Sequence, residues 1–465
     1  LIKNKLNFKE LRELYYEQKI TLQEIIHLLV KEELFIEFLS ICPISDLKVE
    51  IFLRFLRFEI LINFKNLRHN NDLEVFQIAM SHQSFINEYL LIENEVEQKF
   101  ISELIEKLKN INNSKTKLFE ILCLTMYRSI NNFDWLDFSE YQFKLNLIIK
   151  RQIKDPKKEK EIRNLIPTLS DITDHTSLKI REQYEENPYP RWHNLYLPEN
   201  TKFLKDHFSE FNLKANSNSV IENTTFDILI AGCGTGQHPI EVSCTFKNCQ
   251  ILAIDLSLNS LAYAKRKTEE FNIENIDYKQ ADILNLDKLN QFDIIDSVGV
   301  LHHMEDPIRG FECLIDKLKP NGLMRIGLYS KIARRNITKI QNEIFLNKID
   351  TKTSEIKKFR EHLISSNEPH HQSLFNKNDF YSTSELRDLL FNFKEHKYNL
   401  IELKDILQKL NLNFCGFENN KLLNEFRKNY SNQDDIFDLD LWNEFEILHP
   451  ESFVNMYVFW CQKNN

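Results

Sequence analysis

The sequence has no apolar run that approaches the roughly 20 residues a helix needs to span a bilayer. It therefore predicts no stable membrane insertion. Its 42% hydrophobic and 28% charged residues are typical of globular proteins, and its 465 residues exceed what one core usually holds. Two or more domains are expected. No signal peptide is visible, although the chain begins at Leu1 rather than methionine, which leaves a missing start open.

The sequence also lacks metal-type cysteine spacing and a basic charge balance. Its eight cysteines include no Cys-x-x-Cys pair, which favours a reduced cytoplasmic protein without structural zinc. The net charge of -9 argues against a nucleic-acid partner, since such proteins usually carry a basic domain. The basic stretch from Lys150 to Lys160 is interrupted by acids and proline, which is typical of a solvated linker.

Glycine is scarce, but three of the eight glycines lie within five positions, at Gly232, Gly234 and Gly236. The apolar run before them, Ile228 to Ala231, predicts a buried parallel strand, and glycines let the backbone turn sharply and approach a ligand closely. A second apolar run ends at Asp255, about 20 residues after the glycines, where an acid at a strand tip reaches ribose hydroxyls. The pattern predicts a nucleotide-like cofactor.

A nicotinamide-dependent dehydrogenase is the main rival interpretation, because its fingerprint also joins a strand, a glycine turn, a helix and a distal acid. In that fingerprint the third glycine comes three residues after the second, where this chain has Gln237. A pyrophosphate would then lack its usual cradle. The spacing argues against a dinucleotide.

Four ordered motifs support a more specific interpretation. They are Ala-Gly-Cys-Gly-Thr-Gly from Ala231, Ala-Ile-Asp-Leu-Ser from Ala253, Ala-Asp-Ile from Ala281 and Gly-Val-Leu-His-His-Met-Glu-Asp-Pro from Gly299. Together they resemble the class I S-adenosylmethionine-dependent methyltransferases. The resemblance implies an α/β fold with a seven-stranded Rossmann-like sheet. The rest of the sequence adds an all-α N-terminal domain and a helical insertion between the fifth and sixth strands.

The resemblance also implies S-adenosylmethionine as the cofactor and a set of residues that bind it. These are Gly232, Cys233, Gly234, Gly236, Gln237, Asp255, Leu256, Ser257, Asp282, Ile283, Val300 and Leu301. The glycines would pass beneath the methionine part, Asp255 would hold the ribose, and Asp282 with Ile283 would frame the adenine. The family usually has an acid two residues before the first glycine. Ile230 stands there, so the cofactor's amino group needs another acceptor.

The predicted organisation has five parts. Residues 1–150 form a helical domain for partner or dimer contacts, 151–195 a linker and aromatic lid, 196–330 the cofactor-binding core, 331–405 a substrate-recognition insertion, and 406–465 the closing strands. Apolar residues at helix spacing predict helices in the first part at Leu22 to Leu39, Val49 to Ile62, Val75 to Leu91 and Leu118 to Ile130.

Methyl transfer from a sulfonium is an in-line displacement, so the protein mainly orients the acceptor and removes a proton. His302 and Tyr329 end the fourth and fifth predicted strands and are the candidate catalytic residues. His303 is a candidate substrate contact. The alternative is that His302 packs against the cofactor and His303 caps the next helix.

Aromatic side chains near the predicted core are candidates for contacting the acceptor. A helix that ends before Pro188 and Pro190 presents Tyr184, Tyr189, Arg191 and Trp192 as a lid, or these rings simply cover the sheet. In the insertion, the capping box at Ser382 fixes Phe380 and Tyr381 at a helix entrance. His370 and His371 lack a third ligand at fixed spacing, so no metal is expected.

Three further segments are distinctive: Phe76 to Leu90, Asn187 to Trp192 (Asn-Pro-Tyr-Pro-Arg-Trp) and Ser384 to Phe391. They resemble a narrower group, the rickettsial protein lysine methyltransferases that modify an outer-membrane surface protein. This resemblance implies cytoplasmic methylation of lysine side chains in a bacterial surface protein before its export, by a homodimer built partly through the helical region. A small-molecule methyltransferase and a helical scaffold with a non-catalytic cofactor domain remain alternatives.

Overall fold

The computed structural model describes residues 7–110 and 117–464, and the chain divides into two compact units. The helical unit contains the described residues of 1–158 together with Arg191–Asn194 and Ile340–Phe391. The sheet unit contains Glu159–Pro190, Leu195–Lys339 and the described residues of 392–465. The middle of the predicted insertion therefore belongs to the same unit as the N-terminal helices.

The N-terminal part of the chain is helical throughout its described elements. The helices are α1 Phe8–Tyr16, α2 Leu22–Val30, α3 Glu33–Ile41, α4 Leu47–Ile62, α5 Asn71–Ile86, α6 Glu95–Asn110, α7 Lys117–Thr125, α8 Asn146–Ile149 and α9 Asp155–Arg163. Their core includes Ile25, Leu56, Phe76 and Ile121, none of which is exposed. Arg57 and Glu97 form a buried ion pair (3.3 Å), and the hydroxyl of Tyr127 donates a hydrogen bond to Glu97.

Two predicted segments in this part differ from the structure. The single helix expected from Leu22 to Leu39 is two helices, because the buried positions follow helix spacing only to Leu29 and the next, Phe35, comes six residues later. The basic segment expected to be a linker is helical: a π-helical turn spans Lys150–Lys154 and α9 follows. Helix α8, this turn and α9 form one continuous helical run, and Pro156 lies just after its π-helical turn.

The insertion adds three helices to the helical unit and shares a fourth with the sheet unit. The shared helix is α15 Arg335–Leu346, and the others are α16 Thr353–Ser365, α17 Pro369–Gln372 and α18 Thr383–Leu390. The predicted cap of α18 is confirmed, since the Ser382 side chain accepts from the backbone N–H of Glu385. Pro369 opens the short helix α17, which contains His370 and His371.

The sheet unit contains a seven-stranded sheet, as predicted. Its strands are β1 Phe226–Ala231, β2 Cys249–Asp255, β3 Ile276–Gln280, β4 Phe292–Val298, β5 Leu318–Leu328, β6 Leu412–Phe417 and β7 Tyr457–Lys463, in the order β3-β2-β1-β4-β5-β7-β6. The first five are parallel, and β7 runs antiparallel to β5 and β6. The order changes direction at β1, where open α/β sheets bind ligands outside the carboxyl ends of their strands.

Helices flank the strands of this unit and complete its core. They are α10 His175–Glu186, α11 Leu204–Glu210, α12 Gln237–Thr245, α13 Leu258–Glu270, α14 Pro307–Asp316, α19 Leu400–Lys409, α20 Asn420–Phe426 and α21 Leu439–Leu448. As predicted, α10 ends before Pro188. Helix α14 begins at Pro307, with Asp306 as its cap. No helix in the described part of the chain is both long and apolar enough to cross a membrane.

Candidate cofactor and acceptor site

The glycine turn, residues 232–236, follows β1 directly and needs glycine at three positions. All three glycines have positive φ angles, of 82°, 52° and 85° in order, a region that L-residues rarely adopt. A side chain at any of these positions would also collide with neighbouring atoms. A Cβ on Gly232 would meet the methyls of Val300, one on Gly234 would lie 2.6 Å from the carbonyl oxygen of Tyr189, and one on Gly236 would lie 2.5 Å from Ala264.

The carboxylate of Asp255 is hydrogen-bonded to the glycine turn. Its Oδ2 accepts the backbone N–H of Gly234 at 2.8 Å, and its Oδ1 accepts that of Ser257 at 2.9 Å. Burial raises the pKa of this carboxyl group. Each carboxylate oxygen can accept more than one hydrogen bond, so both retain capacity for a pair of ribose hydroxyls. The residues present therefore fit the nucleoside of S-adenosylmethionine.

The other implied cofactor residues cluster at the same ends of the strands. Asp282 is buried after β3, where its Oδ1 accepts the backbone N–H of Leu284 at 2.9 Å, and Ile283 is buried beside it. Val300 packs on Gly232, as the turn geometry requires, and Leu301 is buried. Cys233 is buried too, which raises the pKa of its thiol well above the usual value, so it remains a neutral thiol.

Three of the implied cofactor residues form hydrogen bonds to other parts of the protein through their polar groups. Gln237 donates from Nε2 to Glu241 at 3.0 Å within α12. The carbonyl of Leu256 accepts from Gln280 at 2.8 Å. Ser257 caps α13 and donates its hydroxyl to the carbonyl of Tyr184 at 3.1 Å. A direct contact between these residues and the cofactor stays a prediction.

The predicted lid reaches the glycine turn through its backbone. The carbonyl of Tyr189 accepts the N–H of Thr235 at 3.3 Å, and the Thr235 hydroxyl donates to the carbonyl of Pro190. The rings of Tyr184 and Tyr189 stack with centroids 6.4 Å apart. Glu185, which sequence reasoning missed, accepts the N–H of Leu258 at 2.7 Å at the start of α13. The end of α10 and the residues that follow it are thus hydrogen-bonded to the start of α13 and to the glycine turn.

Arg191 and Trp192 belong to the helical unit, where Trp192 is buried. The guanidinium of Arg191 lies over the ring of Phe85 at 5.1 Å, and its Nη1 donates to Oε1 of Glu88 at 3.1 Å. The other oxygen of Glu88 accepts the backbone N–H of Ser384 at 2.5 Å, at the start of α18. Glu88 was not predicted as a site residue, yet it joins the three segments that carry the narrower resemblance.

Phe380 and Tyr381 are buried inside the helical unit. Arg360 lies over the Phe380 ring at 4.4 Å and donates from Nε to the Phe380 carbonyl at 2.9 Å. The Tyr381 hydroxyl donates to the carbonyl of Phe375 at 2.8 Å. Both rings therefore pack in the core here, and their role in contacting a substrate stays a prediction.

His302, His303 and Tyr329 come together after β4 and β5. The ring of His302 lies 4.0 Å from that of Tyr329 and 4.3 Å from that of His303, centroid to centroid. Burial lowers the pKa of His302 well below its usual value, so its imidazole is neutral near pH 7. Nδ1 of His303 lies 2.8 Å from the carbonyl oxygen of Lys394. His303 does not cap α14, because Asp306 does so.

A charged pair that the sequence did not indicate lies against Tyr329. The guanidinium of Arg334 covers the Tyr329 ring at 3.6 Å and donates to both carboxylate oxygens of Glu395, at 2.9 and 2.8 Å. Lys397 also pairs with Glu395, at 3.1 Å. Arg334 and Glu395 are both buried, so this ion pair holds the Tyr329 ring in a fixed orientation.

Residues 394–398 form a short segment, here named the acceptor strap, over the ends of β4 and β5. The N–H of His396 donates to the carbonyl of His302 at 2.7 Å, and the N–H of Tyr398 donates to that of Tyr329 at 2.9 Å. Lys394 pairs with Glu305 at 2.9 Å. The strap is thus attached to both candidate catalytic residues through their backbones.

Comparisons with known proteins give one family match and several similar proteins. Residues 228–322 match a family model described as a methyltransferase domain. A 121-residue stretch is 38% identical to an uncharacterized Synechococcus protein, over 26% of this chain and 29% of that protein. Ubiquinone biosynthesis O-methyltransferase of Acinetobacter baumannii is 26% identical over 97 residues, 20% of this chain and 40% of that enzyme.

Among solved structures, PKMT2 from Rickettsia typhi is 17% identical with a TM-score of 0.41, covering 58% of this chain and 55% of that one. The chain thus spans well under two thirds of each of these proteins. The family match and the four motifs identify a class I S-adenosylmethionine-dependent methyltransferase domain, and S-adenosylmethionine is its methyl donor.

Proposed function

We propose that this protein methylates lysine side chains of a polypeptide, in particular an outer-membrane surface protein, in the cytoplasm before export. The observation that carries the proposal is the pair of hydrogen bonds at Glu88. This carboxylate joins Arg191 and Ser384, and so ties together the three segments that resemble lysine methyltransferases.

S-adenosylmethionine supplies the methyl group when it is bound. The glycine turn and Asp255 would hold the methionine and ribose parts, and Asp282 with Ile283 would frame the adenine. Asp255 accepts the backbone N–H of Gly234, and the carbonyl of Tyr189 accepts that of the next residue, Thr235. This backbone attachment supports the proposal that Tyr184 and Tyr189 would lie beside the bound cofactor.

Lysine demands that a proton leave before methyl transfer, because an ammonium has no lone pair and its reference pKa is about 10.4. The amine nitrogen then forms the new N–C bond as the C–S bond breaks. Buried surroundings lower an amine pKa, and aromatic rings hold a methylated ammonium by cation–π attraction. Tyr329 orients the amine with its hydroxyl. His302 positions Tyr329, since it stays neutral and packs on that ring.

One observation favours a second candidate, a methyltransferase of small neutral or anionic acceptors. Arg334 places a positive charge on the Tyr329 ring, which disfavours an ammonium at that face. Its bidentate pair with Glu395 offsets this charge. The two candidates differ in the size of the acceptor and in the atom that is methylated.

The test is incubation of the full chain with labelled S-adenosylmethionine and unfolded fragments of outer-membrane surface proteins, beside a small-metabolite extract. We expect label in lysine residues of the polypeptide, located by mass spectrometry. Size-exclusion chromatography of the same sample tests the proposed homodimer separately. Label confined to the metabolite fraction would replace the proposal with the second candidate.

A further inference from the structure

The insertion brings three metal-type side chains together within the helical unit. Nε2 of His370 lies 2.6 Å from Oε1 of Glu343, and Nε2 of His371 lies 2.8 Å from Oε2 of the same carboxylate. Among the described residues this is the cluster of three or more His, Cys, Asp or Glu side chains whose ligand atoms all lie within 4.8 Å. Glu343 comes from α15 and both histidines from α17.

A second contact fixes the direction of one imidazole. Nδ1 of His371 lies 2.8 Å from the hydroxyl oxygen of Ser366, which turns Nε2 of that ring towards Glu343. Histidines that bind metals are usually held in this way through their other nitrogen. The His371 side chain is 4% exposed, the His370 side chain 16% and Glu343 31%, so the cluster is shielded but open to solvent on the Glu343 side.

The three ligand side chains suit a zinc ion. Two imidazole nitrogens and one carboxylate, with a fourth position left for water, form a common tetrahedral zinc set. Zinc bonds of about 2.0 to 2.1 Å separate neighbouring ligand atoms by about 3.3 Å. The nitrogen and oxygen atoms here are 2.6 and 2.8 Å apart, so a shift of roughly half an ångström admits the ion.

We propose that Glu343, His370 and His371 bind a zinc ion that links α15 to α17. Binding uses both imidazoles as neutral Nε2 donors, so any proton carried there is released to solvent as the metal enters. The alternative is a hydrogen-bonded cluster in which both rings donate to Glu343 and no metal binds. Only the zinc site binds one equivalent of metal, and this binding can be measured without any methyltransferase activity.

The test is titration of the metal-free full chain with Zn²⁺ against a chromophoric chelator, and with Co²⁺ followed by visible absorption. We expect one equivalent bound, a tetrahedral Co²⁺ spectrum, and an unfolding midpoint that rises with Zn²⁺. His371→Ala and Glu343→Gln should lose the spectrum and the midpoint shift. Ser366→Ala should weaken binding by about 10- to 100-fold.

His362→Ala is the matched control, because its ring lies 5.9 Å from that of His371 but outside the ligand group. It should bind one equivalent like the parent chain. Glu343→Gln keeps the size of the side chain and guards against a folding defect in the histidine variant. Absence of stoichiometric binding, or binding that these ligand substitutions leave unchanged, would overturn the proposal.

Discussion

The backbone N–H of Gly234 lies 2.8 Å from Oδ2 of Asp255, so the first and second motifs of the methyltransferase domain are hydrogen-bonded to each other. The Asp255 carboxylate thus holds the glycine turn and is also the expected ribose contact. Different substitutions at Asp255 and Gly234 test these two roles separately.

Asp255→Asn keeps the shape of the side chain but removes its charge and one acceptor. Hydrogen bonds to a charged group contribute about 1.5 to 3 kcal/mol, so affinity for S-adenosylhomocysteine should fall by about 10- to 100-fold. Isothermal titration calorimetry measures the change. Asp277→Asn, on the exposed face of β3, is the control and should bind normally. Equal affinities in the two variants would contradict the assigned role.

Gly234→Ala should disrupt the lid as well as the turn. A left-handed backbone costs a non-glycine residue about 1 to 2 kcal/mol, and the new Cβ would also lie 2.6 Å from the carbonyl oxygen of Tyr189. Gly299→Ala isolates the backbone cost, because φ there is 80° and the closest atom is 3.6 Å from the new Cβ. Urea unfolding should show the larger loss for Gly234→Ala. Similar losses would exclude a tight contact between turn and lid.

Tyr329→Phe removes the hydroxyl and keeps the ring that Arg334 covers. Loss of one hydrogen bond to the acceptor should lower kcat by roughly 5- to 10-fold while the Kd for the cofactor stays unchanged. Tyr196→Phe, at an exposed tyrosine, should match the parent enzyme. An unchanged kcat at saturating peptide would remove Tyr329 from the acceptor site.

Glu385 gives a pH dependence to the helical unit. Burial raises the pKa of this carboxyl group from 4.5 to about 8. The folded chain therefore holds a proton that the unfolded chain releases above pH 4.5, and stability declines as pH rises from about 4.5 to 8. Glu385→Gln should unfold like the parent at pH 5 and be more stable at pH 8. Parallel profiles from thermal unfolding would contradict the assignment.

Glu88→Gln should destabilise the helical unit. It weakens the charge-assisted bonds to Arg191 and Ser384, at an expected cost of about 1.5 to 3 kcal/mol in urea unfolding. Glu355→Gln is the control, because its pair with Lys358 is exposed and should change stability by less than about 0.5 kcal/mol. Equal effects would mean that Glu88 contributes no more than a surface pair.

The local pattern of the sequence was enough to predict the sheet, the glycine turn and the position of Asp255 at the end of β2. Strand periodicity, scarce glycine and fixed spacing are all encoded within about 30 residues, the length of one βαβ unit. The helix expected from Leu22 to Leu39 was predicted too long, because the pattern was followed past the break after Leu29.

The partners that fix the site could not be predicted in the same way. Glu88 meets Arg191 across 103 residues, Arg334 meets Glu395 across 61, and Glu343 meets His371 across 28. A single sequence carries no spacing rule for such pairs, since they depend on how the helices and the strap pack. The quoted segment Phe76 to Leu90 contained Glu88 but gave no reason to select it.

The central claim is that lysine accepts the methyl group of S-adenosylmethionine. It is tested most directly with two matched unfolded peptides, one containing lysines and one in which every lysine is arginine, each incubated with the full chain and labelled cofactor. We expect label on lysine side chains of the first peptide and none on the second, and much slower labelling by Asp255→Asn. Equal labelling of both peptides, or none while cofactor binding is intact, would contradict it.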